Sequence, residues 1–177
     1  MTRTSKRCVM ATRGSAPDAL VDTSVAVALV VGDHQQHEAT TQALGDRVLG
    51  LAGHAVFETF SVLTRLPAPA RRSPATVVAL IAANFPESRF LSPGRASALL
   101  AQLVASGVAG VPGDAQLIGC VVLLAQLVAS GVAGGSVYDA LVGSAAAEHG
   151  IVLVTRDRRA LGTYRALDVQ VELLVDS

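Results

Sequence analysis

The stretch Ala19-Leu20-Val21-Asp22-Thr23-Ser24 (ALVDTS) gives the first structural signal, because an apolar run leads directly into an acid and two hydroxyl side chains. An apolar run that ends in residues favoured at helix N-caps is typical of a buried strand followed by a helix. Residues 151–157 (IVLVTRD) form a second apolar run that ends near an acid, with Thr155 and Arg156 before it. The two stretches therefore predict buried strands whose carboxyl ends carry Asp22 and Asp157.

Helical and strand patterns alternate along the rest of the chain. Strands are predicted at 19–22, 47–51, 151–155 and 169–174, and helices at 25–31, 34–44, 53–66, 74–83, 95–106, 114–130, 136–149 and 158–161. This alternation predicts an α/β fold in three layers, with a mainly parallel central sheet flanked by helices. Ligands bind outside the carboxyl ends of the strands in such sheets, so Asp22 and Asp157 should face one crevice.

Composition limits the class of protein. The chain has 177 residues, 51% of them apolar, which suits one domain with a core of Val, Leu and Ala. Its formal charges sum to zero, but residues 1–17 contain four basic residues and no acid. We predict a basic disordered tail at 1–17 and one domain at 18–177, where ten basic residues face fourteen acidic ones. This balance excludes the strongly basic profile of a duplex-DNA binder.

Targeting signals and cysteine usage indicate a cytoplasmic protein. The N-terminal residues lack the apolar core of a secretory signal. Cys8 and Cys120 form neither a disulfide framework nor a metal-ligand spacing. The most apolar run, residues 117–135, contains Gln126, Ser130 and several glycines, so we interpret it as a buried helix and predict no membrane association.

A duplicated segment interrupts the pattern. The text LLAQLVASGVAG occurs at 99–110 and again at 123–134. We interpret the region 99–134 as containing a 24-residue duplicated helical insert, because removing either unit leaves the same flanking sequence. We hypothesise that the insert loops outward and spares the site at the carboxyl ends of the strands.

Two further acids join Asp22 and Asp157 as candidates for a metal site. Glu58 interrupts an apolar helix (HAVFETFSVL, 54–63), and Asp139 lies near the start of another (SVYDAL, 136–141). Each acid alone has a structural alternative: the two strand-end aspartates suit helix caps, Asp139 suits a capping box, and Glu58 suits a solvated helix flank. As a set, their hard oxygen atoms suit Mg²⁺ or Mn²⁺.

Polar and basic neighbours complete the candidate site. The hydroxyl groups of Thr23, Ser24 and Thr155 are expected to hydrogen-bond a carboxylate or a water beside the metal. A cluster of three arginines after the predicted strand at 151–155 could contact RNA phosphates or form a solvated turn; these are Arg156, Arg158 and Arg159.

Four segments together resemble PIN-domain proteins, most closely the VapC-type toxins of bacterial toxin–antitoxin pairs. They are residues 20–29 (LVDTSVAVAL), 54–67 (HAVFETFSVLTRLP), 134–146 (GGSVYDALVGSAA) and 152–160 (VLVTRDRRA). The likeness covers about residues 18–175 except one 24-residue unit. By position, Asp22, Glu58, Asp139 and Asp157 match the four family acids, and Thr155 matches the hydroxyl residue before the last one.

The resemblance implies a PIN-like fold and an endoribonuclease that uses Mg²⁺ or Mn²⁺ to hydrolyse RNA such as tRNA or rRNA, leaving 5′-phosphate and 3′-hydroxyl ends. Asp22, Asp139 and Asp157 would hold the metal, and Glu58 a metal-linked water or a second ion. The resemblance also implies a homodimer that a cognate VapB-type antitoxin silences.

Other functions stay open from the sequence. An aspartate-nucleophile phosphatase would need an acid two positions after Asp22, where Ser24 stands. A phosphoacceptor signalling domain would need a lysine on a late strand, but Lys6 is the only lysine. A catalytically impaired PIN-like binding module, disabled by the duplication, is the non-enzymatic alternative.

Overall fold

The computed structural model describes residues 16–105 and 136–175. Four strands form one sheet: β1 (Ala19–Val21), β2 (Leu49–Leu51), β3 (Leu153–Thr155) and β4 (Val171–Leu173). They lie in the order β2-β1-β3-β4, and every neighbouring pair is parallel. The predicted parallel sheet is confirmed, although each strand is shorter than its apolar run because only these central residues pair.

Seven helices lie within the described ranges: α1 (Thr23–Val30), α2 (His37–Leu44), α3 (Ala55–Arg65), α4 (Pro74–Asn84), α5 (Pro93–Ala105), α6 (Ser136–His149) and α7 (Leu161–Ala166). Helix α1 contacts α2 and α3, and α3 contacts α4, whereas α6 contacts α5 and α7. With the sheet, these two packed groups form the predicted three-layer α/β fold.

The last helix differs most from its prediction. The sequence predicts one helical turn at 158–161, but the chain forms a turn at 158–160 and then a helix from Leu161 to Ala166. The Oδ1 atom of Asp157 accepts a hydrogen bond from the Arg159 N–H at 2.8 Å, which stabilises the turn ahead of the helix. Buried Tyr164 then anchors the helix in the core.

The carboxyl end of β2 has a neighbour that the sequence does not reveal. Arg89 forms an isolated parallel bridge with Ala52 just beyond β2. A Cβ atom on Gly50 would lie 2.1 Å from the carbonyl oxygen of Glu87, so only glycine allows this segment to pass so close. This close contact between β2 and the segment 87–89 places the residues after Arg89 at the carboxyl edge of the sheet.

The core is centred on β1 and β3. Leu20, Val21, Leu153 and Val154 have no exposed surface. Burial of both faces explains why these strands read as continuous apolar runs in the sequence. Within the described residues, none of the helices has the length and apolarity needed to cross a bilayer.

Several predictions fall on residues outside the described ranges. They concern the tail up to residue 15, both cysteines, the duplicated insert beyond residue 105 and the predicted helix at 114–130. These predictions stay predictions.

Candidate active site

Strands β1 and β3 lie side by side where the direction of the chain connections changes. The chain leaves β1 towards β2 and leaves β3 towards β4, on opposite sides. In open parallel sheets this switch point opens a crevice at the carboxyl ends of the strands. Asp22 directly follows β1, and Asp157 lies two residues after β3, so both acids border the crevice.

Asp22 combines the capping role with a contact across the crevice. It is the N-cap of α1, and its Oδ1 accepts hydrogen bonds from the Val25 N–H at 3.1 Å and the Ser24 hydroxyl at 2.6 Å. Its Oδ2 accepts a hydrogen bond from the Thr155 hydroxyl on β3. The side chain is buried, and this burial raises the pKa of Asp22, while the three hydrogen bonds oppose the rise.

Two hydroxyl groups join the loops that carry the acids. The oxygen of Thr155, besides donating to Asp22, accepts a hydrogen bond from the Asp157 N–H at 2.9 Å. The oxygen of Ser24 likewise accepts one from the Arg156 N–H at 2.9 Å. Each hydroxyl therefore contacts Asp22 and the loop after β3 at once, which fixes Asp22 relative to Asp157.

Glu58 lies in the first turn of α3 and is exposed, as expected of a solvated helix flank. However, one of its carboxylate oxygens accepts a hydrogen bond from the hydroxyl of Thr23 at 2.7 Å. Thr23 directly follows Asp22, so this bond draws Glu58 to the rim of the crevice.

Asp139, in the first turn of α6, lies near enough to the other three acids for their charges to act on it. Its pKa is raised to about 6 by partial burial and, in decreasing order, by the charges of Asp157, Glu58 and Asp22. Among the described residues, no donor hydrogen-bonds its carboxylate. Within residues 16–105 and 136–175, Asp139 is therefore the one of the four acids whose carboxylate accepts no hydrogen bond, although the charge of Arg159 partly offsets its raised pKa.

Tyr164 is a residue beside the acids that the sequence analysis does not identify. It is buried in α7, and burial together with the charges of all four acids raises its pKa. No motif or spacing marks it in the sequence, because its position depends on how α7 packs against α6. Gly143 makes that packing close: a Cβ atom there would lie 2.9 Å from the Tyr164 ring.

The arginines after β3 have different environments. Arg159 is exposed and binds both oxygens of Asp157, at 3.0 Å through Nε and 2.9 Å through a terminal nitrogen. This ion pair lowers the pKa of Asp157. The guanidinium of Arg156 instead donates to the Gln36 side chain at 2.7 Å and to the Thr40 hydroxyl at 3.2 Å. Arg158 is exposed.

An open groove of about 440 Å³ lies beside Asp157, at the carboxyl ends of β3 and β4. Its lining residues are Gln36, Arg156, Asp157, Arg158, Arg159, Leu174 and Val175. All three arginines predicted to contact RNA thus border one concave surface next to the acids. Whether they bind RNA stays a prediction.

The chemistry of these donors fits a hard divalent cation, since all four are carboxylates. Yet within residues 16–105 and 136–175, no three His, Cys, Asp or Glu side chains are grouped closely enough to ligate one ion. Like charges repel, and three of the acids take protein donors instead: Asp22 from hydroxyls, Glu58 from Thr23 and Asp157 from Arg159. The joint ligation of one metal by Asp22, Asp139 and Asp157 therefore stays a prediction.

The fold and the site define an α/β domain with an acidic crevice at the carboxyl edge of a parallel sheet, and the PIN-domain family model matches residues 19–166 of this chain. The chain therefore belongs to the PIN-domain family.

Curated relatives group the chain with the VapC-type members of this family. It is 38% identical over 155 residues to Ribonuclease VapC27 of Mycobacterium tuberculosis (strain ATCC 25618 / H37Rv), covering 88% of this chain and 96% of that protein. It is 40% identical over 155 residues to Ribonuclease VapC40 of the same species (strain CDC 1551 / Oshkosh), covering 86% and 96%. No solved structure matches the chain.

Proposed function

We propose that this protein is a Mg²⁺- or Mn²⁺-dependent endoribonuclease toxin of a toxin–antitoxin pair. The observation that carries the proposal is the set of hydroxyl contacts at the carboxyl ends of β1 and β3: Thr155 contacts both Asp22 and the Asp157 N–H, and Thr23 binds Glu58 beside them. The relatives named as ribonucleases support RNA as the substrate.

In this proposal Asp22, Asp139 and Asp157 hold the cation, and Glu58 orients a water or binds a second ion. A bound cation would act as a Lewis acid towards the phosphate and would lower the pKa of a bound water.

The hydroxyl-bearing residues keep the acids in place. Thr155 and Ser24 hold the two oxygens of Asp22, and Thr23 holds Glu58. Hydrogen bonds of this kind orient metal ligands and reduce the movement needed on binding.

The arginine groove would accept the RNA backbone. Arg158 is exposed and available for a phosphate contact. Arg159 would exchange its bond to Asp157 for a phosphate when a cation binds the acids. Arg156, fixed against Gln36, would shape the wall and add positive charge.

The assignment to a toxin–antitoxin pair implies further partners. We propose a homodimer that acts in the cytoplasm on tRNA or rRNA and that a cognate VapB-type antitoxin inhibits. Coexpression with a small adjacent reading frame should relieve growth arrest if that frame encodes the antitoxin.

Purified protein should cleave RNA with Mg²⁺ or Mn²⁺ and lose this activity in EDTA. Asp22→Asn should abolish cleavage while the circular dichroism spectrum stays that of the parent, because Asn also caps helices. Asp33→Asn is the matched control, since Asp33 is exposed just beyond α1 and away from the acids. Cleavage by Asp22→Asn at the parent rate would show the site assignment to be wrong.

A further inference from the structure

An exposed group of aromatic rings lies next to the acids. The chain has only four Phe, two Tyr and no Trp. Three of these six, Phe57, Phe90 and Tyr138, are 62%, 49% and 53% exposed. Together with His54 they form a chain of ring contacts from Tyr138 through His54 and Phe57 to Phe90, and we call these four side chains the aromatic platform. Exposing three of the six Phe and Tyr side chains to water at one place is unfavourable because of the hydrophobic effect. Such a patch indicates that a ligand covers these rings.

The rings form a connected surface. His54 stacks on Tyr138, with ring centroids 4.8 Å apart and planes 19° from parallel. Phe57 lies 6.0 Å from His54 and 6.2 Å from Phe90, tilted to both. The stacked pair offers a flat face, while the tilted rings form an edge beside it.

The fold gathers the aromatic platform at the carboxyl end of β2. His54 and Phe57 follow β2 directly, at the start of α3. Phe90 comes after Arg89, which bridges to the end of β2. Phe90 is further held by a hydrogen bond between its carbonyl oxygen and the His149 ring. Tyr138, in the first turn of α6, completes the group.

The aromatic platform is continuous with the acidic crevice. Phe57 precedes Glu58, and Tyr138 precedes Asp139, in the same helical turns. Strand β2 neighbours β1, which carries Asp22 about 4.8 Å further along the sheet edge. Along this edge the order is therefore rings, acids and then the arginine groove.

We propose that the aromatic platform is a base-stacking site, which holds unpaired bases on one side of the RNA phosphate that lies at the acids. This inference rests on the proposed function. Aromatic faces bind unpaired bases in proteins that recognise single-stranded RNA, whereas paired bases in a duplex are not accessible to them. The rings would hold bases on one side of the acids while the arginines hold phosphates on the other.

The arginine groove on the other side of the acids favours RNA as the occupant of the rings. A strand that crosses the acids can place its phosphates against Arg158 and Arg159 while its bases lie against Phe57 and Tyr138. A protein seated on the rings is the competing occupant, and the experiment below separates the two.

Binding can be measured without cleavage by using the full chain in an Asp22→Asn background with Mg²⁺. The probe is a fluorescein-labelled single-stranded 12-mer oligoribonucleotide of mixed sequence, followed by fluorescence anisotropy. Replacing Tyr138 by Ala should weaken binding by roughly 5- to 150-fold, the usual loss for one stacked base. Tyr138→Phe keeps the ring and should bind like the parent. Val78→Ala, which removes an exposed apolar side chain on α4, is the matched control.

Two readouts separate stacking from a structural effect. Tyr138 is one of two tyrosines in a chain without Trp, so single-stranded RNA should quench its fluorescence, and Tyr138→Phe should lose this signal. An oligoribonucleotide with abasic sites should bind the parent as weakly as it binds Tyr138→Ala. Equal binding of normal and abasic RNA by the parent would overturn the proposal.

The remaining outcomes separate the two proposals. If the parent cleaves RNA but Phe57→Ala and Tyr138→Ala both bind the probe normally, the aromatic platform is wrong and the nuclease stands. If the parent does not cleave RNA but the ring variants lose binding, the nuclease is wrong and the platform stands. If the ring variants bind the probe normally and change from dimer to monomer by light scattering, the rings form a protein interface and the proposal is overturned.

Discussion

Replacing Asp139 by Asn should make the metal-free protein more stable at neutral pH while abolishing cleavage. Burial and three neighbouring acids raise the pKa of Asp139 from 3.8 to about 6. The folded protein thus binds a proton at this site more readily than the unfolded chain. The stability contributed by Asp139 is complete below pH about 4 and is lost as the pH rises through about 6.

The expected gain in stability follows from the pKa shift of Asp139. Two pKa units correspond to about 3 kcal/mol. Asp139 is partly exposed, so solvent screening reduces the expected gain to about 1.5 kcal/mol. Loss of a negative charge in the first turn of α6 opposes this by about 0.5 kcal/mol. A net gain of about 1 kcal/mol should raise the melting temperature by roughly 2–4 °C in a chain of this length.

The assay is thermal unfolding in EDTA between pH 4 and pH 8, with cleavage measured in parallel. The difference between Asp139→Asn and the parent should be largest at pH 8 and vanish near pH 4. Glu148→Gln on the same helix is the control with opposite sign, because hydrogen bonds from Ser92 lower the pKa of Glu148. A destabilised Asp139→Asn at pH 8, or a difference that does not change with pH, would contradict a raised pKa at Asp139.

Three further predictions concern the contacts around this site. Thr155→Val should lower the free energy of unfolding by about 1–3 kcal/mol, because a buried oxygen of Asp22 loses its donor, and Thr155→Ser should restore most of it. Arg159→Ala should tighten Mn²⁺ binding in calorimetry with little change in stability, because the 92% exposed side chain competes for Asp157; weaker binding would contradict this role. Deleting residues 111–134 should leave the cleavage rate and melting temperature near the parent values if the insert loops outward, whereas a large gain in both would show that it is harmful.

The crevice between β1 and β3 could be predicted because the apolar runs of both strands are recognisable in the sequence. The apolar runs before Asp22 and Asp157 are long enough to be buried strands, and a parallel sheet brings their carboxyl ends to one edge. Hydroxyl groups beside these acids were expected to hydrogen-bond carboxylates. Each of the three does so in the structure: Thr23, Ser24 and Thr155.

Features that depend on contacts between distant segments could not be predicted. Apolar periodicity does not distinguish Phe57, which is exposed, from Leu63 on the same helix, which is buried. Nothing in the sequence near Arg156 indicates that its guanidinium donates a hydrogen bond to Gln36, the residue before α2. The bridge between Ala52 and Arg89, and hence the position of Phe90, follows from the close approach that Gly50 permits.

The pairing of β1 with β3 joins segments more than 130 residues apart, with Asp22 and Thr155 separated by 133 positions. The ribosome releases β1 early in synthesis. The centre of the sheet cannot form until β3, which pairs with β1, has also been released. The crevice therefore cannot exist on a nascent chain until nearly the whole protein has emerged. Chains that terminate before β3 would therefore lack the crevice altogether.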